Sequence, residues 1–429
     1  MRNLLDRAGF TRRIKRRKHR KRKNSRTAKT NSGVQKILSL NSSYKWLLRG
    51  MLLLLILGLL VAIVSAIRAY SSIDFEGETT WDGDQNLNLL IVGLDEKEGG
   101  YKFIDAIVLV RISPGDDEVG ILGVDPDIRF VHEGESISLQ KSYNVGDEEG
   151  MELLEEGINK SLALKVDKYI VIDEESFVEL SKLFSSVDLS FDEDKTENDF
   201  EEYPSGFTAL EGRHSYHSRE LLAALAVDEF GIDKRLSSQV ITVESFADDL
   251  AGLPFLYRFF RDPSLINKVE TNLSKSEALD LFMFLRKGSR LTMRSSYTAQ
   301  NSLILADAEK VEKEVLWERV SQDIQAVFLD ERILQEQVRL EVLNGTEVPG
   351  LAGRYKRNFE NSGLRVVREG NSIRPASDTR LYLGEFADKE YTIEFIKSMF
   401  DDKIEVKEET YKYKHIGDMV LVLGEDLSE

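Results

Sequence analysis

The chain has 429 residues, 31% of them charged and 41% hydrophobic, with no cysteine and five histidines. The lack of cysteine excludes disulfides, thiolate metal sites and a cysteine nucleophile, and no His-x-x-x-His pair offers a zinc spacing. Charge is sharply divided: residues 1–49 hold 17 Lys and Arg against Asp6 alone, a net of +16, which leaves 41 basic and 74 acidic residues, a net of −33, for the remainder.

The basic run from Arg12 to Lys23 has too few apolar residues to build a core, and residues 1–45 read as a disordered tail. Such a tail fixes topology and attracts anionic headgroups at about 1 kcal/mol per basic residue near the surface. No nucleic-acid partner is expected of a tethered tail without a folded reader. Gly50–Ile67 follows, 18 residues without a charge. At about 1.5 Å per residue it spans roughly 27 Å, the depth of a bilayer core. A buried soluble helix would show a polar face, which this run lacks. Val64-Ser65-Ala66 would suit a signal peptidase, but a 49-residue leader is too long for a signal peptide. The reading is a transmembrane helix over 46–69, single-pass in the cell membrane, with the N-terminus cytoplasmic and the acidic part extracytoplasmic.

Residues 70–86 are polar and read as a stalk. Strands are predicted at Leu87–Gly93, Asp105–Ile112 and Val119–Val124, the last two joined by a Pro114-Gly115 turn. Helical periodicity marks Gly150–Ala163, followed by a strand at Lys168–Asp173, a helix at Glu174–Phe184 and a strand at Val187–Phe191. Helices are predicted at Glu211–Leu225, Arg235–Leu250 and Thr271–Lys287, the last with Ser274 and Glu277 forming a capping box. This alternation predicts an α/β/α sandwich over 87–334. In 335–429 the order β-α-β-β-α-β predicts a small α+β domain of ferredoxin-like, split-βαβ type. There Gly363 suits a left-handed C-cap, and Asn344-Gly345 a tight turn in which glycine permits positive φ.

Several segments resemble the LytR-CpsA-Psr family of bacterial envelope proteins. Leu89-Leu90-Ile91-Val92-Gly93-Leu94-Asp95 resembles its opening strand, and Asp105-Ala106-Ile107-Val108-Leu109-Val110 its second. Asp125-Pro126-Asp127, Tyr169–Asp173, Leu210-Glu211-Gly212 and Asp233–Gln239 resemble later motifs. Val342-Leu343-Asn344-Gly345-Thr346 with Gly350-Leu351-Ala352 resembles the LytR C-terminal domain.

The resemblance implies transfer of a glycopolymer from a polyprenyl-pyrophosphate carrier to peptidoglycan, with arginines clamping the pyrophosphate and Mg²⁺ bridging it. Carried over by position, Asp105 and Asp127 would be catalytic and Asp95 with Asp105 would hold the metal. Lys97, Arg129, Arg219, Arg235 and Gln239 would bind substrate. Phe103, Pro126 and Ser238 stand where the family places arginines, so the resemblance also implies a degraded clamp. The alternative is a non-catalytic envelope module that keeps the fold to bind lipid carrier or wall glycan, or as a scaffold. Aspartates at strand ends are also ordinary turn formers, and His214/His217 beside Arg213, Tyr216 and Arg219 suits the polar lining of a cleft. The topology predicts that protease added outside intact cells digests the acidic region and spares the tail; protection of the whole chain would reverse the assignment.

Overall fold

The computed structural model describes residues 70–97, 101–146, 150–197, 207–227, 230–298, 320–400 and 403–427. The expected tail and membrane span lie outside them. Among the described residues no helix is long and apolar enough to cross a membrane.

Three apolar runs set the first sheet. Strands β1 (Leu87–Lys97), β2 (Tyr101–Ser113) and β3 (Glu118–Val124) form an antiparallel meander. A hairpin of β4 (Arg129–His132) and β5 (Glu135–Ser138) leads into helices α1 (Leu139–Val145) and α2 (Gly150–Leu162). The chain returns as β6 (Lys168–Asp173), parallel to β1, and continues into α3 (Glu174–Ser181). A lateral set follows: β7 (Val187–Phe191), β8 (Lys195–Glu197), β9 (Phe207–Ala209), β10 (Gly212–Tyr216) and α4 (Arg219–Ala226). Then come α5 (Ile232–Leu250), α6 (Leu253–Arg261), β11 (Glu270–Thr271), α7 (Lys275–Leu285) and β12 (Thr292–Thr298). The sheet order is β11-β6-β1-β2-β3-β12.

Strand alternation sends residues to opposite faces. Leu90, Val92, Leu109 and Leu122 pack with Leu154 and Ile158 of α2 and with Val320, Ile324 and Phe328, from helical residues 320–328. Leu89, Val110 and Ile121 pack instead with Val240 of α5 and with Leu281 and Phe284 of α7. Helices therefore cover both faces, a mixed α/β layering.

The second sheet is built from α8 (Glu331–Glu336), β13 (Arg339–Asn344), α9 (Leu351–Asn361), β14 (Arg365–Asn371), β15 (Arg380–Tyr382), α10 (Glu390–Ser398), β16 (Glu405–Lys407) and β17 (Met419–Leu423), in the strand order β14-β13-β17-β15-β16. This corrects the ferredoxin-like expectation. In a split βαβ another strand separates the two parallel strands, whereas here β13 and β14 are direct parallel neighbours, as are β15 and β16. The continuous apolar run Met-Val-Leu-Val-Leu of β17 is buried at every position, and this strand inserts between the two βαβ units.

Other local expectations divide in the same way. The capping box at Ser274 and Glu277 is present, and Gly363 has φ +94. Gly345 is required for a different reason from the one expected: it is absent from the positive-φ positions, but a Cβ there would lie 2.7 Å from both Leu423 O and Ala376 Cβ. Glu211–Leu225 is not one helix. Tyr216 is buried and Arg213 binds Asp188, so this stretch pairs with β7 before Ser218, at φ +53, turns the chain into α4. The expected stalk is folded onto the body, because Trp81 is buried in the second core.

A buried ion pair fixes that segment. Lys168 Nζ lies 3.0 Å from Glu277 Oε2, with both side chains almost fully enclosed. The carboxylate also accepts from the backbone N–H groups of Ser274, Trp81 and Thr80. Burial alone would raise the Glu277 carboxyl, but these N–H donors and Lys168 hold it below its ordinary value. Glu277→Ala would strand Lys168 and is expected to cost about 3–5 kcal/mol in denaturant titration. Because the folded carboxyl is depressed, its contribution is present above the unfolded value of about 4.3 and is lost as pH falls through the folded one. Glu277→Gln should therefore flatten the acid limb of the stability profile.

Candidate functional site at the sheet edge

The chain direction of each strand brings many acidic strand ends to one edge of the first sheet. β1 and β6 run parallel and carry Asp95 and Asp173 in their last residues there, β3 ends there before Asp125 and Asp127, and antiparallel β2 starts there. Between β1 and β2 the register slips: Gly93 pairs with Ala106 but Leu94 pairs with Ile104. Asp105 is the extra residue of this bulge, a device that re-aims a side chain.

The bulge turns Asp105 toward α5. Arg235 Nη1 lies 3.5 Å from Asp105 Oδ1, and Gln239 Nε2 lies 3.4 Å from Asp105 O. Arg235 and Gln239 are one helical turn apart, so a single face of α5 addresses both the carboxylate and its backbone. Asp95 shares strand parity with Leu87, Leu89 and Ile91 and so belongs to the same face of the sheet.

Among the buried polar atoms near this edge without a hydrogen-bond partner in the described residues are Gln239 Oε1 and Thr298 Oγ1. Thr298 pairs with Val124 and accepts from the N–H of Asp125. Orphaned buried polar atoms are uncommon and mark positions where water, ion or ligand completes the bonding. Thr298 was not legible beforehand, because Thr-Met-Arg-Ser-Ser-Tyr-Thr shows no strong apolar alternation to announce β12. Asp125, the first residue of the Asp125-Pro126-Asp127 motif, is buried, and its Oδ1 accepts from Asp127 N at 2.9 Å to form the turn. Asp173 caps α3 by accepting from Ser176 N at 2.7 Å.

The remaining candidates are placed as follows. Asp127 is exposed within that turn. The side chain of Lys97 lies outside the described residues. Arg129 is committed to its own hairpin, donating to Ser136 Oγ at 3.1 Å and Ser136 O at 2.7 Å. Arg219 stands exposed at the first position of α4. His214 Nε2 is 2.8 Å from Glu211 O, which closes a local turn. Among the described residues no three His, Cys, Asp or Glu side chains converge as a cation site. The donor set at Asp95 and Asp105 suits a cation of the Mg²⁺ type, which takes one or two carboxylates and fills its remaining positions with water and substrate phosphate.

These features define an α/β protein with a carboxylate-lined sheet edge addressed by one Arg/Gln helix face and followed by a second α/β sheet. Residues 64–223 match the LytR_cpsA_psr family, and residues 337–427 match the model described as LytR cell envelope-related transcriptional attenuator. The chain therefore carries a LytR-CpsA-Psr domain followed by a LytR C-terminal domain. No curated protein matches. Among solved structures, Bacillus subtilis TagV is 18% identical with a TM-score of 0.43, covering 56% of this chain and 97% of its own. TagT bound to LIIa-WTA is 15% identical with a TM-score of 0.44, covering 58% and 98%. YwtF (TagT) with bound octaprenyl pyrophosphate lipid is 14% identical with a TM-score of 0.40, covering 58% and 98%.

The Arg235–Asp105 pair is partly open to solvent, with side chains 17% and 42% exposed. Pairs of this kind contribute about 0–1 kcal/mol. Asp105→Asn and Arg235→Gln are therefore expected to unfold thermally close to the parent chain. A large loss in either would make the pair structural.

Proposed function

We propose that this chain is a membrane-anchored envelope protein of the glycopolymer-transferase type, acting on a polyprenyl-pyrophosphate-linked glycan with peptidoglycan as acceptor. The observation that carries the reading is the bulge at Asp105, bracketed by Arg235 and Gln239. In this reading the guanidinium of Arg235 neutralises pyrophosphate oxygens through charge-assisted hydrogen bonds, and Asp95 and Asp105 would hold Mg²⁺, which would supply further positive charge to the phosphates. Asp105 or Asp127 takes the proton of the acceptor hydroxyl as general base. Lys97 and Arg219 are assigned supporting contacts, whereas Arg129 is held by Ser136 in its own hairpin. Family membership supports the substrate class, and the Gly50–Ile67 run supports the anchor.

One observation favours the non-catalytic alternative. At the three positions where the family places arginines, Phe103 is half-buried and Pro126 and Ser238 are buried, so none offers a cation. The two readings separate in one experiment on the full chain in vesicles containing a polyprenyl pyrophosphate. The transferase reading expects Mg²⁺-dependent binding that Asp105→Ala abolishes, glycan transfer to peptidoglycan, and an affinity reduced about 10- to 100-fold by Arg235→Ala, the equivalent of roughly 1.5–3 kcal/mol. Binding without transfer, insensitive to Asp105→Ala, would establish the binding module instead.

A further inference from the structure

Exposed apolar residues concentrate on two adjoining helices. In α6, Leu253, Tyr257 and Phe260 stand at i, i+4 and i+7 and are 78%, 70% and 39% exposed. They form one stripe along the helix, while Phe255 is buried. The Phe255 ring lies 6.0 Å from that of Phe282 in α7, which joins the two helices. α7 in turn exposes Leu279 and Met283, also one turn apart. Patches of this kind mark an interaction surface.

The local charge identifies the partner. Residues 253–290 hold seven Lys and Arg against four Asp and Glu, inside a region whose net charge is −33. One of the four acids, Glu277, is already neutralised by Lys168. Position adds a further argument. The apolar run Gly50–Ile67 ends three residues before Tyr70, and Lys275 Nζ of α7 lies 5.7 Å from the Tyr70 ring centroid. Asn267, between the two helices, donates to Ser72 O at 2.6 Å and accepts from Asp74 N at 3.0 Å. The α6–α7 unit is thus pinned to residues 70–74, which follow the apolar run closely in sequence.

We propose that the exposed stripe of α6 and the adjoining face of α7 dock on an anionic bilayer surface, with the apolar side chains at the acyl boundary and Arg261 and Lys268 on the headgroups. Amphipathic aromatic and aliphatic helices flanked by basic residues bind membrane interfaces in this way. Docking would hold the folded region at a fixed angle to the membrane rather than leaving it free about the anchor. The proposal rests on the membrane-anchored reading above.

The absence of cysteine makes a single label unambiguous. Full chains carrying Ser264→Cys beside the patch, Asp388→Cys in the exposed turn before α10, or Ala62→Cys within the apolar run would each be labelled and reconstituted with nitroxide lipids. Vesicles would be phosphatidylcholine alone or an equal mixture with phosphatidylglycerol. Docking expects strong quenching at Ser264→Cys in the anionic vesicles and little at Asp388→Cys. Leu253→Ser/Tyr257→Ser/Phe260→Ser should abolish it, and Arg261→Glu or Lys268→Glu should lower the docked-to-undocked ratio at least about fivefold each. Quenching at Ala62→Cys without quenching at Ser264→Cys would overturn docking and leave the anchor standing. No quenching at Ala62→Cys would remove the anchor and the docking with it. Equal quenching at Asp388→Cys, or shielding of Ser264→Cys that grows with protein density in neutral vesicles, would replace docking with nonspecific adsorption or self-association.

Discussion

The candidate site depends on one register slip between β1 and β2. Ile104 and Ile107 are both fully buried in the same core cluster, yet their numbers differ in parity, and strict strand alternation would send them to opposite faces. One extra residue between them resolves the conflict. That residue is Asp105, and the same bulge that keeps two isoleucines inside presents a carboxylate to α5. Removing the slip would move either the core or the carboxylate to the wrong side. Core packing and site geometry are therefore one constraint, and Gly93 beside the bulge is part of it: a Cβ there would meet Ala106 Cβ at 3.0 Å.

The second sheet is tied to the first through buried polar contacts. Arg111, on β2, lies 3.4 Å from Asp330, whose carboxylate also accepts from Asn86 and Arg332. Burial alone would raise the Asp330 carboxyl, but Arg332 and Arg111 hold it below its ordinary value. A second tie joins helix ends. Asn361 of α9 is fully buried and donates to Leu162 O and Ala163 O, each at 3.0 Å, satisfying carbonyls at the C-terminus of α2 that no intrahelical donor reaches. Both ties use groups that would be costly to bury alone. The strand bearing Arg111 is the one that carries Asp105, so the C-terminal sheet buttresses the strand on which the site is built.

Strong apolar periodicity was legible in the sequence, and weak periodicity was not. The runs at 87–93, 119–124 and 168–173 announced central strands because both of their faces are covered, and Leu351–Asn361 announced its helix and its Gly363 terminus. β12 and β10 were missed because Ser, Thr, Arg and His carry little local preference; their pairing with β3 and β7 decides their conformation. Long-range pairing also hid the true order of the second sheet, since five short strands admit several orders and only the complete burial of β17 selects the centre. At the site, the residues that converge, Asp105, Arg235 and Gln239, were legible as motif matches. The bulge was not legible, because only the burial of both Ile104 and Ile107 in one core cluster exposes the change of parity. What no local pattern revealed was that Arg129 would be spent on its own hairpin.

The missing arginines are more than a subtraction of charge. Ser238 is buried between Arg235 and Gln239 on α5, and Thr242 Oγ1 donates to its carbonyl at 2.8 Å. A guanidinium at that position would replace a small, almost fully buried side chain and would need polar partners in that interior. Pro126 is likewise buried in the turn closed by Asp125 and Asp127. Reinstating single arginines would thus cost core packing as well as add charge, because overfilling a close-packed interior forces strain. Screening sharpens the point: at physiological ionic strength the field of distant charges fades over about 8 Å. The net of −33 beyond residue 49 therefore matters less to an anionic ligand than the few cations within reach of Asp105, where Arg235 stands among the described residues.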